Sequence, residues 1–295
     1  MALTINTNMS SLIVQKNLNA ATSMLNKSIE RMTTGYKINH AADNAAGYSI
    51  ATTWKTQLGS LDVASDNAST GADMLTTLED TYSLITSHLQ RVRDLTEQAA
   101  NGTYGSDSLK AIASEITARL EEIDRISANC EFNGLKMMDG SLTDDINLQV
   151  GLYSDAASRI ALDASLFQNG HVSALFKTFG GVGGATVAEV AKLCSGYDGK
   201  QITGGQNEML NKIDAVISEI SARTTTLGAA QNRIESAVES INVQSGNIKS
   251  SLSTLRDADV AEESSNYIKA QILQQASATL LATANQTPSI ALNLV

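Results

Sequence analysis

The feature that most constrains this chain is a heptad stripe that never breaks across its last third. Ile213, Ile217, Ile220, Thr224, Leu227, Gln231, Ile234, Val238, Ile241, Ser245, Ile248, Leu252 and Leu255 follow alternating steps of four and three. That spacing keeps one face of a helix turned toward a partner helix. At about 1.5 Å per residue, the helix from Ile213 to Leu255 is roughly 65 Å long, more than a compact domain of this size normally holds. A matching stripe runs earlier, through Leu61, Ala64, Ala68, Gly71, Leu75, Leu78, Tyr82, Ile85, Leu89, Val92, Thr96 and Ala99. Two long seams far apart in sequence predict that the two halves of the protein pack side by side as a rod.

Composition agrees with long helices. The 295 residues hold 4 % aromatics and one proline, Pro288, so packing falls to Leu, Ile and Ala. A net charge of −10 argues against DNA or RNA as a partner, because phosphate binding needs a basic face. No stretch approaches the ~18 apolar residues of a membrane span. The N-terminus, Met1 to Asn19, has neither a basic start, a long apolar run nor a cleavage site of small residues. That pattern fits a cytoplasmic protein, and equally one exported with its N-terminus uncut. Cys130 and Cys194 stand in no CxxC and near no histidine, and read as structural thiols; a disulfide needs an oxidising compartment and Cα atoms within reach.

Periodicity predicts a helix over about Thr4–Lys37, broken at Gly35 and the polar run Asn39 to Asn44, then a second from Ala45 to Ala100. A third covers about Ser106–Ser127, with Leu109, Ile112, Ile116, Leu120 and Ile123 on one face and Asp107 and Ser108 available as caps. Ile146, Leu148 and Val150 alternate, Ser154-Asp155 offers a turn, and Ile160 and Leu162 alternate again, which predicts a β-hairpin. Residues 171–205 are glycine-rich, with one helical piece over about Ala185–Leu193. A helix from Gln206 to near Asp257 follows, then one from about Ser264 to Ala284 that should stop before Pro288. The predicted fold class is mainly α: a long antiparallel helical bundle or coiled coil from both chain ends, with a small β-hairpin and a short surface insert.

Chemistry is hard to find. His40, His88 and His171 are far apart and in no ligand spacing. The run Gly180-Gly181-Val182-Gly183-Gly184 fails both phosphate-loop patterns and reads as a flexible connection. No GxSxG elbow appears, and Glu121, Glu122 and Asp124 read as a solvated helix face. We expect no enzyme, no cofactor and no metal. Asn101-Gly102-Thr103 is a glycosylation sequon by pattern only.

Thr224, Gln231 and Ser245 put polar groups in the seam, where they weaken packing while fixing register. They read either as ordinary sequence variation or as a seam that slides between packings. The termini are more telling. Leu12, Leu18, Leu25 and Ile29 stripe the first helix; Ile272, Leu273, Leu280 and Leu281 mark the last, and Leu292 and Leu294 stand at the very end. Termini are usually polar and frayed. Apolar ends with helical spacing supply a partner to each other, and any face left over is buried only by neighbouring copies.

On these residues the protein resembles bacterial flagellin. The resemblance rests on Ala270-Gln271-Ile272-Leu273-Gln274-Gln275-Ala276 running on through Ala284-Asn285-Gln286, and on Leu227 to Arg233. At the other end it rests on Ile5 to Asn8, Ile29-Glu30-Arg31, Ala42 to Gly47, Leu89-Gln90-Arg91-Val92-Arg93 and Phe132-Asn133-Gly134. It spans roughly residues 1–165 and 206–295. It implies a structural subunit that self-assembles into a flagellar filament for swimming motility, outside the cell and secreted without a cleaved signal peptide.

In that reading residues 1–44 with 256–295 form the filament core, disordered in the free subunit. Residues 45–170 with 206–255 form a helical rod plus the hairpin, and 171–205 a short variable outer insert. The implied partners are many copies of the same protein, an export chaperone at the C-terminal helix, and cap and hook-associated proteins, with no nucleic acid and no membrane insertion. Resemblance alone also implies an interface for the vertebrate innate flagellin receptor at Gln90, Arg91, Leu95, Glu115 and Arg119. Asp94 stands there where Glu is frequent. The alternative within the superfamily is a hook–filament junction protein; a secreted effector would need a catalytic constellation in 171–205, and none is visible.

Overall fold

The structure, a computed structural model, describes residues 8–176, 186–196 and 206–292. In sequence order it contains α1 (Met9–Thr34), α2 (Ala45–Ala100), α3 (Ser106–Asn129), β1 (Glu131–Phe132), β2 (Leu135–Lys136), β3 (Ile146–Gln149), β4 (Arg159–Leu162), α4 (Val172–Leu175), α5 (Val187–Ser195), α6 (Gln206–Arg256) and α7 (Val260–Leu292). The protein divides into two compact units, residues 1–59 with 245–295, and residues 60–244. The mainly helical class with a small hairpin is what the periodicity predicts.

In the first unit α1 and α7 lie antiparallel. Asn8 Nδ2 donates to Ala284 O at 2.7 Å, Gln274 Nε2 to Thr22 Oγ1 at 3.2 Å, and Arg31 Nη1 to Glu263 Oε2 at 3.5 Å, so the residue numbers rise on one helix as they fall on the other. Asn8 caps α1 by accepting from Ser11 N. Gly35 ends it with φ 75°, a left-handed C-cap that glycine adopts without strain. The helix therefore stops three residues short of the expected Lys37.

A short lacing follows within the same unit. Lys37 N donates to Arg256 O and Ala258 N to Gly35 O. Lys37 Nζ reaches Thr254 O at 2.8 Å, and the Arg256 guanidinium lies 4.1 Å from the centre of the Tyr36 ring. Asn44 then caps α2 by accepting from Gly47 N.

The second unit is a conventional core. Every position of the first stripe, Leu61 to Ala99, is buried, as are the five apolar residues of α3. From α6 come Ile213, Val216, Ile220, Leu227, Ala230, Ile234 and Ile241. Each fully buried Leu or Ile contributes about 1.5–3 kcal/mol of transfer free energy. Two of the polar stripe residues find partners: Thr224 Oγ1 donates to Ile220 O, and Gln231 Nε2 to Glu79 Oε2 on α2 at 2.9 Å.

The predicted hairpin is β3 paired with β4, antiparallel, with Ile146 opposite Leu162 and Leu148 opposite Ile160. It sits on α2 because Gly71 leaves room; a Cβ there would collide with Leu148 Cδ1. Asn67 Nδ2 fixes it further by donating to Gln149 O. Tyr82, wholly buried, donates its hydroxyl to Leu166 O at 3.0 Å, and burial raises its pKa above the ordinary value.

Some details depart from expectation. A second hairpin, β1–β2, turns at Asn133 (φ 50°) and Gly134 (φ 80°), the two positive φ values of a type I′ turn. Helix α3 begins after Gly105, which has no side group to cap it, so Asp107 lies in the first turn, where it favours the helix dipole without capping. Helix α5 starts and ends two residues later than expected because Thr186 and Glu189 form a capping box. Helix α7 starts four residues early and its backbone runs on through Pro288, since one proline removes a single N–H donor and need not end the element. The glycine run 180–184 lies outside the described residues.

Cys130 and Cys194 are both free and buried. Cys130 Sγ donates to Thr81 Oγ1 at 3.5 Å, and burial pushes the Cys194 thiol up to about 12.

Candidate assembly surfaces

The seam between α1 and α7 is lined by small residues. Ala21, Ser28, Ala270 and Ser277 are buried there, and Ala270 is 0 % exposed. Small residues let two helix backbones approach closely, and they leave the large apolar groups facing away. Leu12, Ile29, Ile272, Leu273 and Leu280 are exposed, with Ile272 and Leu280 each at 59 %. Met9, Ile13, Met24, Met32 and Ile268 join them. Leu18, Leu25 and Leu281 are half-buried. Leu292 lies on the helical backbone of α7, and Leu294 lies outside the described residues.

Isolated exposed leucines are ordinary, but a run along both helices is not. Periodicity does not foretell the inversion, because both the small and the large positions share the helical period.

The ion pairs of this unit gather near the loop between α1 and α2. Lys27 Nζ meets Asp43 Oδ1 at 2.7 Å, and Asp43 Oδ2 also accepts from Asn39 N and His40 N. The Lys27 hydrogen bond, helped by those backbone N–H groups, lowers the Asp43 carboxyl to about 2. His40 Nε2 lies 2.8 Å from Glu30 Oε1. An open cleft of about 800 Å³ nearby is lined by Arg31, Asp43, Trp54, Glu262 and Glu263 among others.

The second surface belongs to the other unit. Arg91 on α2 donates Nε to Glu115 Oε1 on α3 at 2.9 Å, and Arg119 Nη2 lies 3.9 Å from the same oxygen. The three groups form one exposed ion cluster across α2 and α3, with Gln90 exposed beside it. Leu95 is different: at 2 % exposed it faces the core. Arg93 meets Asp214 on α6 at 2.6 Å and Glu97 at 3.2 Å, which raises its pKa. Read along the sequence, Arg91 and Arg93 look like one solvated pair on one helix. In the fold they serve two different neighbours, and only the contact between distant helices reveals Asp214.

Among the described residues, no group of three or more His, Cys, Asp and Glu is placed to hold a metal ion. No helix there is long and apolar enough to cross a membrane.

The comparisons with known proteins address both ends of the sequence. Residues 5–143 match the bacterial flagellin N-terminal helical region, and residues 210–295 the bacterial flagellin C-terminal helical region. A flagellin of Xenorhabdus nematophila is 35 % identical over 100 % of both sequences, and one of Listeria innocua is 32 % identical over 99 % of each. A solved structure from Vibrio parahaemolyticus, described as a putative flagellar hook-associated protein, shares the fold at a TM-score of 0.60 and 13 % identity, covering 73 % of this protein and 100 % of that one. The two matched regions carry α1 and α7, the helices that bury small residues against each other and leave their large ones bare, and on both of them this protein belongs to the bacterial flagellin family.

Proposed function

We propose that the exposed face of α1 and α7 is the surface by which copies of this protein polymerise into the flagellar filament. The observation that carries the reading is the inversion of the seam: Ala21, Ser28, Ala270 and Ser277 inside, Leu12, Ile29, Ile272, Leu273 and Leu280 outside. A subunit that kept this face wet would forfeit the burial of each of those residues; neighbouring copies recover it. Leu18, Leu25 and Leu281 extend the same face in this reading, and Leu292 and Leu294 act in assembly with it. Residues 1–44 with 256–295 act as the filament core, 45–170 with 206–255 as the surrounding helical layer, and 171–205 as the outermost insert.

The role is structural, without catalysis. The subunit leaves the cell without a cleaved signal peptide, and an export chaperone covers the C-terminal helix until assembly. The exposed cluster of Gln90, Arg91, Glu115 and Arg119 serves as a contact either for a neighbouring subunit or for the vertebrate innate receptor, with Leu95 holding α2 in place from beneath. The hook-associated likeness supports one second reading, a junction protein that adds in few copies and does not propagate.

Electron microscopy of the purified protein, with precipitating salt or filament seeds, separates the two. Long uniform filaments are expected, and their loss on deleting residues 266–295. Normal filaments from that truncation would refute the terminal-helix face; persistent monomers of the full-length protein under seeding would favour the junction protein.

A further inference from the structure

We propose that Asn101 is a site of spontaneous deamidation, which places an extra acid in the turn between α2 and α3. The sequence has three Asn-Gly pairs, Asn101-Gly102, Asn133-Gly134 and Asn169-Gly170. Sequence alone ranks them equally. In the reaction the backbone nitrogen of the glycine attacks the asparagine Cγ. A new bond forms from that nitrogen to Cγ, the bond from Cγ to Nδ2 breaks and ammonia leaves, giving a five-membered imide. Water then opens the imide at either carbonyl, to aspartate or to isoaspartate, whose backbone is longer by one methylene.

The structure closes two of the three. At Asn169, Nδ2 is tethered by donating to Asp139 O at 3.2 Å. The would-be nucleophile, Gly170 N, is engaged with Met138 O at 3.0 Å, and Gly170 is buried. Asn133 sits at φ 50° in the β1–β2 turn, between the pairs Phe132 with Leu135 and Glu131 with Lys136. Closing the ring would rotate ψ out of the left-handed well and unmake that turn.

Asn101 meets a lighter obstacle, since its turn lies outside any sheet and is held by Asn101 N to Gln98 O at 3.2 Å and Tyr104 N to Asn101 O at 3.3 Å. It and Gly102 are exposed just beyond the end of α2. The Gly102 N–H has no hydrogen-bond partner among the described residues. Thr103 N donates to Asn101 Oδ1 at 3.3 Å, a donor aimed at the oxygen on which negative charge develops as the nitrogen attacks. A Cβ added at Gly102 meets nothing within 4 Å, so no packing demand accounts for glycine there.

The test incubates the full-length folded protein in mildly alkaline buffer and maps the three peptides by mass spectrometry, with enzymatic methylation reporting isoaspartate. Asn101 should convert several-fold ahead of Asn133 and Asn169, and in urea the three rates should converge. Gly102→Ala, which the open space tolerates, should slow Asn101 several-fold without changing the circular dichroism. Equal rates in the folded protein, or a Gly102→Ala variant that converts as fast as the parent, would overturn the assignment.

Discussion

In residues 60–244 a core of large residues lies inside, with Tyr82, Phe167, Leu75, Leu89 and Leu120 wholly buried and a few such as Leu84 and Tyr153 left at the surface. In the seam of α1 with α7 the buried residues are the small Ala21, Ser28, Ala270 and Ser277, with Glu263 against Arg31 at one end, while Ile272 and Leu280 stand out in solvent. Both regions are helical and both carry apolar residues at helical spacing. The difference lies in which side of the stripe one molecule covers by itself. Where a single molecule supplies every neighbour a leucine needs, the core is finished on folding. Where the helix pair meets through alanine and serine, the proposed assembly holds the hydrophobic driving force over for another molecule. A filament subunit needs both arrangements: one part that folds alone, and one whose burial is completed only by assembly.

The contrast can be broken most forcefully in the second unit. Leu89→Ala should cost about 2–5 kcal/mol, the transfer term plus the cavity left behind. Thermal unfolding followed by circular dichroism reads this directly; a loss below about 1 kcal/mol would place Leu89 outside a packed core. In the α1–α7 seam the damaging change runs the other way. Ala270→Leu should cost about 1–3 kcal/mol by overpacking a site that admits only a methyl group. Hydrogen exchange should show α1 and α7 opening together in that variant, and unchanged protection would mean the seam is loose.

Much of this was legible in the sequence. The limits of α2, the buried face of α3 and the β3–β4 register all follow from period and turn residues, because a wholly buried stripe leaves a clean signal. The type I′ turn at Asn133-Gly134 and the capping box of Thr186 with Glu189 escaped that reading, because they are local motifs outside the stripes. The seam was not legible either. Period places Ala21 and Leu25 on α1 alike, and only the docking of α7 decides that alanine turns inward. Arg93 with Asp214 was hidden for a related reason: the pairing joins residues far apart in sequence, and no local spacing encodes it.

A smaller effect sharpens the comparison at the charged end of the first unit. The Asp43 carboxyl is held at about 2 rather than 3.8, foremost by Lys27. A carboxyl lowered on folding contributes stability that is present above its ordinary value and is lost as pH falls through the folded one. The contribution is thus complete at neutral pH and fades between about 4 and 2. The Lys27 partner is exposed, so screening limits the pair to roughly 0.2–1 kcal/mol. Asp43→Asn should lower stability by that amount at neutral pH, and the gap to the parent should vanish at the acid end of the window. A gap that persists at that end would assign the effect to packing of the 35–44 loop instead.

The smallest effect on folding is the most informative about assembly. Ile272→Ser with Leu280→Ser changes two residues that the subunit leaves in water, so its unfolding free energy should stay within about 0.5 kcal/mol of the parent for each. Filament yield under seeding should nevertheless collapse, because each replacement forfeits burial that only a neighbouring copy provides. Leu89→Ala supplies the opposite pairing, a weakened subunit whose α1–α7 face is intact and whose filaments should still form below its unfolding temperature. If the double serine variant polymerises normally, the exposed face is not the joint and the burial must be completed elsewhere. If it destabilises the isolated subunit, the face is already covered within one molecule, and the distinction between the two regions fails at its root.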